Sequence, residues 1–339
     1  MSLFKGPMRQ HIPGHKELSD HVDIMEVKAG SKVFIPLICG PSVNLEILVK
    51  EGDHVSIGTK VAQCNERNVV PIFASVSGTV AGTQKLMHSS LKPVEHLVIE
   101  NDGLYERVRA FEPLDYKSAD RTALIDFMMN AGIIGLGGAG FPAYIKYKFA
   151  KDVKKLIINA VECEPFITAD YKMIQAHKEE FVTGVAAMKK MAMAPEAVIA
   201  IKKTHPDLIQ FVEEAVKGME GFSVAAVPDV YPMGWERVLV REIMHAEYEK
   251  LPGEVGAIVN NATTAIAFGD ALLTGTPIVS KTLTVSGNAI KKPVNVQVPV
   301  GVPVSEIVAA CGGYTCEDVR LIAGGPMMGK TIVNDKFVI

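Results

Sequence analysis

From residue 31 to about residue 100, apolar positions fall in short runs at 32–38, 45–49, 61–63, 69–73, 79–81 and 95–99. Turn sequences such as Glu51-Gly52-Asp53, Ser56-Ile57-Gly58 and Ser77-Gly78 separate them. Strands at this spacing predict a compact β-sandwich. A polar linker over 101–118 follows, and the period then changes. Helical patterns over 119–130, 169–191, 205–217, 234–245 and 263–273 alternate with apolar runs at 155–161, 197–202, 223–227 and 256–260. That alternation predicts parallel βαβ units, and strands apolar throughout predict a sheet buried on both faces. From Pro277 the pattern returns to β, with strands at 282–287, 294–298 and 319–323 and a helix at 304–310, as in a small β-grasp unit. The fold class is therefore α/β multidomain, with expected units at 1–105, 106–278 and 279–339.

Composition narrows the function. A net charge of −3 over 339 residues, with no basic face, argues against a nucleic-acid binder. No apolar run approaches the roughly 18 residues of a membrane span. The five cysteines, Cys39, Cys64, Cys163, Cys311 and Cys316, are sparse and lack Cys-x-x-Cys spacing, which reads as reduced cytosolic thiols. Cys311 and Cys316 alone cannot ligate an iron–sulfur cluster that wants four. The first thirty residues are polar and read as an irregular arm. There, His11 and His15 are spaced like a helical metal pair, but Pro13 between them argues against the helix, and no metal site is expected.

Candidate chemistry centres on Gly135-Leu136-Gly137-Gly138-Ala139-Gly140-Phe141-Pro142, with four glycines in six residues. Glycines let backbone amides approach a ligand closely, and such a turn feeding a helix over 144–150 makes an anion site to which Lys146 adds a cation. The apolar run after it ends in Asn159, Glu162 and Glu164, where ligands collect in open α/β sheets. Gly324-Gly325-Pro326-Met327-Met328-Gly329-Lys330-Thr331 matches a phosphate-loop pattern, but the residues after it are β-prone. A phosphate loop must open a helix, so the match reads as accidental.

The glycine loop with Phe141-Pro142 and Asn159…Glu162-Cys163-Glu164-Pro165 resembles the flavin-binding part of the RnfC component of the Rnf electron transport complex. It is more distantly similar to the NADH-binding flavoprotein of respiratory complex I. The likeness continues through Tyr231-Pro232-x-Gly234-x-Glu236 and Val259-Asn260-Asn261-Ala262-Thr263. It extends to His11-Ile12-Pro13 with His15-Lys16 and to Ala323-Gly324-Gly325-Pro326-Met327-Met328-Gly329. The resemblance implies an N-terminal lipoyl-like barrel-sandwich domain, a central Rossmann-like flavin domain and a C-terminal β-grasp (SLBB) module. Residues 49–58 and 74–80 also resemble a biotinyl or lipoyl carrier. Such carriers present a modifiable lysine between those halves, whereas 65–76 holds none, so no covalent cofactor is expected.

By the same resemblance the cofactor is FMN. Gly135, Gly137, Gly138 and Lys146 are implied for its phosphate, and Asn159, Glu162, Asn260 and Asn261 for its ring, with Tyr231 and Gly234 beside them. Thr263 is an implied neighbour, though Thr264 or Ala262 can take that place if the register slips. NAD(H) would be met by Phe141, Phe149, Glu164 and Glu236. Phe141 and Phe149 equally suit core packing on one helical face, and Glu164 equally suits a cap on the helix starting near Thr168. The chemistry would be the flavin's, so no catalytic side chain is required.

Leu136, Val161, Trp235 and Phe166 depart from the complex I pattern. Family members carry 4Fe-4S motifs beyond the β-grasp module that are not in this chain. The implied role is an NADH:acceptor oxidoreductase subunit, peripheral on the cytoplasmic side of a membrane. Its implied partners are the other components of an ion-translocating complex and ferredoxin-type iron–sulfur proteins. Alternatives are a soluble relative serving a cobalamin or proline reductase, and a non-catalytic docking subunit.

Overall fold

The structure, a computed structural model, describes residues 12–38, 44–64, 68, 70–138 and 140–339. His11, Cys39 and Ala139, and residues 65–67 and 69 of the stretch compared with carrier hairpins, lie outside the described residues.

A 3-10 turn at Lys16–Leu18 precedes β1 (Met25–Glu26). Then β2 (Lys32–Pro36), β3 (Leu45–Ile47), β4 (His54–Val55), β5 (Lys60–Cys64), β6 (Val70–Phe73), β7 (Gly78–Met87) and β8 (Pro93–Asn101) form two sheets, ordered β2-β8-β7-β4 and β3-β5-β6, every pair antiparallel. Buried positions alternate with less buried ones along β2, as in strands with one face on a core.

The central region runs α1 (Arg121–Asn130), α2 (Tyr144–Lys148), β9 (Lys155–Ala160), α3 (Ala169–Ala176), α4 (Lys178–Ala192), β10 (Glu196–Lys202), α5 (Pro206–Ala215), β11 (Phe222–Val227), α6 (Glu236–Met244), β12 (Ala257–Asn261) and α7 (Ala262–Thr274). The four strands form one parallel sheet, ordered β11-β10-β9-β12. Leu156, Ile158, Ile199 and Ile258 share a core with residues of α1, α4 and α7, while Ile157, Ala200 and Val259 pack with Leu239 and Val240 of α6. The chain leaves β9 toward β10 and β11 on one side and returns to β12 on the other. Between such diverging connections a crevice opens at the carboxyl ends of the strands.

One expected helix is two. The 169–191 pattern breaks at His177 (φ −125°, ψ 54°), and α4 restarts with Glu179 and Glu180 in its first turn, where negative charge suits the helix dipole. Beyond the break α4 lies on α7 at glycine contacts: a Cβ built on Gly184 would stand 1.8 Å from the Ala265 carbonyl oxygen.

The last region holds β13 (Ser280–Val285), β14 (Val294–Pro299), α8 (Val304–Ala310), β15 (Leu321–Ala323) and β16 (Lys330–Ile332). β1 adds to β14 in parallel, opposite the antiparallel β13. Val33, Ile35, Val61 and Leu97 share one buried cluster with Val296, Val298, Val302 and Ile307. The β regions at the two ends of the sequence thus bury their apolar faces together, and the arm is stitched into the C-terminal sheet. β15 and β16 are antiparallel, with Ala323 opposite Lys330, so the phosphate-loop look-alike is a hairpin loop with no helix behind it.

Candidate functional site

The crevice at the ends of β9 and β12 collects most of the sequence-expected site residues. Asn261 is in register with Asn159 on the neighbouring strand. Asn159 donates to the Gly234 carbonyl (2.8 Å) and accepts from the Val161 amide (3.1 Å), tying the strand end to the Tyr231–Trp235 turn. Gly234 packs closely on this strand end: a Cβ there would lie 2.9 Å from the Cys163 sulfur and push that side chain aside. Tyr231 meets the Trp235 ring edge-on, with centroids 6.0 Å apart. Buried Asn260 donates to the hydroxyl of buried Tyr147. Asn261 caps α7 by accepting from Thr264 and donates to Asp170, which also accepts from Thr263.

The glycine loop leans on this junction. Leu136 donates its amide to the Thr264 hydroxyl (2.9 Å), and a Cβ on Gly137 would come 3.1 Å from that of Asn261. Thr264 therefore touches the loop, while Thr263 holds Asp170. Gly135 and Gly140 close the turn by backbone bonds, and Ile134 bridges Pro142. The sequence led us to expect the loop to run straight into an amphipathic helix over 144–150. Instead α2 is a five-residue turn beginning after that bridge, so the loop does not feed a helix N-terminus directly. Lys146 donates to the Val259 carbonyl (2.6 Å) and lies 3.7 Å from Glu236. Burial lowers its pKa, opposed by Glu236.

Glu162 and Glu164 take different directions. Glu162 accepts from the Asp170 and Tyr171 amides (2.7 and 3.0 Å), making the α3 cap that the sequence offered as an alternative for Glu164. Glu164 Oε2 instead accepts from the Met327 amide (3.0 Å) in the β15–β16 hairpin, and its Oε1 is buried with no partner among the described residues. Phe141 and Phe149 are 40% and 73% exposed, and neither lies inside α2, so the shared core face does not exist: Phe141 sits in the loop before α2 and Phe149 just past its end, where the helical period does not hold.

Burial pushes the Glu162 carboxyl up to about 7, with Asp170 adding and Lys16 opposing. Between the ordinary value of 4.5 and about 7 the folded chain keeps a proton that the unfolded chain has released. Through this group stability declines as pH rises across that window. Melting temperatures of Glu162→Gln over the same window are expected to fall less steeply than those of the parent. Parallel curves would remove the assignment.

Three models of known domains match the chain: the RnfC barrel sandwich hybrid domain at 4–104, the Nuo51 FMN-binding domain at 128–269 and the SLBB domain at 282–331. The chain is 33% identical over 333 residues to the C subunit of the Na(+)-translocating ferredoxin:NAD(+) oxidoreductase complex of Acetobacterium woodii, covering 97% of this chain and 75% of that one. It is 34% identical to the proton-translocating counterpart of Clostridium ljungdahlii, covering 97% and 72%. This chain belongs to the RnfC family. A solved NAD+-reducing [NiFe]-hydrogenase in the H2-reduced state shares the fold, with TM-score 0.56 and 19% identity over 67% of this chain and 46% of that one. The RnfC architecture of barrel sandwich, parallel α/β domain and SLBB module is thus the one expected from the sequence.

The residues present fit a phosphate-bearing flavin. Gly138 and Gly140 have left-handed φ of 115° and 58°, and a Cβ on either would meet nothing within 4 Å, so open space lies before the loop. Among the described residues no acceptor pairs with the Gly137 and Gly138 amides. The Lys146 ammonium has three donors, and Val259 takes one. The sequence of this RnfC family member offers Thr264 only as an alternative to Thr263, and gives no sign of Asp170, Lys16 or the Met327 amide as site elements. Lys16 donates to the carbonyls of Glu162 (2.9 Å), Glu164 (2.8 Å) and Ile167. Nothing in the local pattern of the arm signals this, because each partner lies about 150 residues away.

Proposed function

We propose that this chain handles FMN and NAD(H) as the oxidoreductase subunit of an ion-translocating electron-transport complex, peripheral on the cytoplasmic side of a membrane. It would exchange electrons with ferredoxin-type iron–sulfur partners on other polypeptides. No described helix is long and apolar enough to cross a membrane, which accords with that placement. The observation that carries the reading is the glycine loop, with open space before it and unpaired amides, seated on the β9–β12 switch point. Units at 1–105, 106–278 and 279–339 are proposed as the barrel sandwich, flavin and SLBB portions.

In this reading the amides of Gly137 and Gly138 and the Lys146 ammonium hold the phosphate, while the Gly135 amide, expected from the sequence to join them, donates to the Phe141 carbonyl (2.8 Å) and shapes the loop instead. Asn159, Glu162, Asn260, Asn261 and Thr263 shape the ring bed, flanked by Tyr231 and Gly234. Phe141 and Phe149 offer exposed rings for the adenine, and Glu164 and Glu236 acceptors for ribose hydroxyls. The side chains here bind, orient and keep water out, and when bound the flavin supplies hydride acceptance and one-electron release. The test is to titrate the purified chain with FMN, follow flavin fluorescence, then add NADH anaerobically. Saturable quenching followed by bleaching supports the reading. Quenching without bleaching would leave a flavin carrier that does not use NADH, and no uptake would leave a docking subunit.

A further inference from the structure

The loop joining β9 to α3 has an uncommon backbone. Two of its residues, Glu162 (φ 43°) and Phe166 (φ 68°), sit in the left-handed region without being glycine. Side chains other than glycine stay there only when surroundings over-determine them. The surroundings are the arm. The Gly14 carbonyl accepts from the Phe166 amide (2.6 Å), the His15 ring stacks on Phe166 at 4.8 Å and 19°, and the Ser19 hydroxyl meets that of Thr168 at 2.8 Å. Between these grips the Lys16 ammonium takes three converging carbonyls, those of Glu162, Glu164 and Ile167. An ammonium has three donors and no acceptor, so the match of number is complete. Three carbonyl oxygens turned toward one point repel each other and need positive charge at the centre. With the carbonyls turned inward, the Glu162 carboxylate reaches the α3 amides and that of Glu164 reaches the Met327 amide.

We propose that Lys16 is a positioning residue of the oxidoreductase site: its ammonium, by gathering the carbonyls of Glu162, Glu164 and Ile167, fixes the loop that carries Glu162 and Glu164 into the crevice. The inference rests on the flavin and nucleotide reading above, and the experiment separates the two. Hydrogen exchange of the 162–171 peptide is followed by mass spectrometry in the full chain without flavin, for the parent and Lys16→Met. In the variant it is expected to speed up about tenfold or more while peptides from β7 and β8 keep parent rates, and FMN affinity falls about tenfold. Lys16→Ala should regain most of both properties with added propylammonium and none with propanol, a readout that general loosening of the fold would not give. Parent-like exchange at 162–171, parent-like FMN affinity, or equal recovery with propanol would each overturn the assignment. Should Lys16→Met fail to fold, Lys16→Arg takes its place. A guanidinium keeps the charge but its planar donors cannot meet three converging oxygens, so faster exchange at 162–171 is again expected and parent rates overturn the role. A parent chain that takes up no FMN refutes the flavin reading, while the exchange result still decides whether Lys16 holds the loop.

Discussion

Gly184→Ala is expected to lower the melting temperature sharply, with a loss of about 3 kcal/mol or more. Glycine disfavours a helix interior, so its place inside α4 has another cause. The methyl group would stand 1.8 Å from the Ala265 carbonyl oxygen and 2.7 Å from its carbon, both backbone atoms that no rotamer can move aside. Gly269 of α7 mirrors the contact, its Cβ position falling 1.8 Å from the Glu180 oxygen. The two helices must separate to admit either methyl. Phe181, Val185, Met188, Ala265, Phe268 and Leu272 then lose packing in the largest buried cluster. Because α7 starts immediately after Asn261, separation also moves Asn261 and Thr264 under the glycine loop. Thermal melts of parent and variant check this, and coincident melts would show that the helices can part at little cost.

Lys146→Ala is expected to weaken FMN binding about tenfold to a hundredfold, the loss of a charge-assisted contact of roughly 1.5–3 kcal/mol. Lys146 starts from a partly committed state, with its ammonium on the Val259 carbonyl and near Glu236. Removing it also leaves that carbonyl and carboxylate without their cation. Glu236→Gln isolates the carboxylate's share. It removes the neighbouring charge and leaves the ammonium, so its FMN affinity should stay near the parent's. Fluorescence titration of both variants measures this. An unchanged dissociation constant in Lys146→Ala would take the residue out of the phosphate site.

What could be read from the sequence follows from how local each signal is. The four apolar runs of the central region became β9 to β12 with ends shifted by about a residue, because a strand buried on both faces writes its pattern in consecutive positions. Asn159, Asn260 and Asn261 could be placed for the same reason, as polar residues ending apolar runs. The break at His177 was hidden because helical periodicity continues on both sides of it. Asp170, Lys16 and Met327 act through partners about 90 to 160 residues distant, and no window of the chain brings those together. The cap offered for Glu164 belongs to Glu162, since two carboxylates two residues apart serve equally in a one-dimensional reading, and only the turned carbonyls of the loop choose between them.

The pairing of Met25 and Glu26 with Val296 and Gln297, extended by the Val27 amide on the Gln297 carbonyl (2.9 Å), has a practical corollary. Those few residues cover the outer rim of β14. A shortened protein beginning after Gly30 would present a row of bare amides and carbonyls on a Val-rich strand, the kind of rim that recruits the same strand from another molecule. The arm thus also guards against self-association, and trimming it to improve handling would invite precipitation.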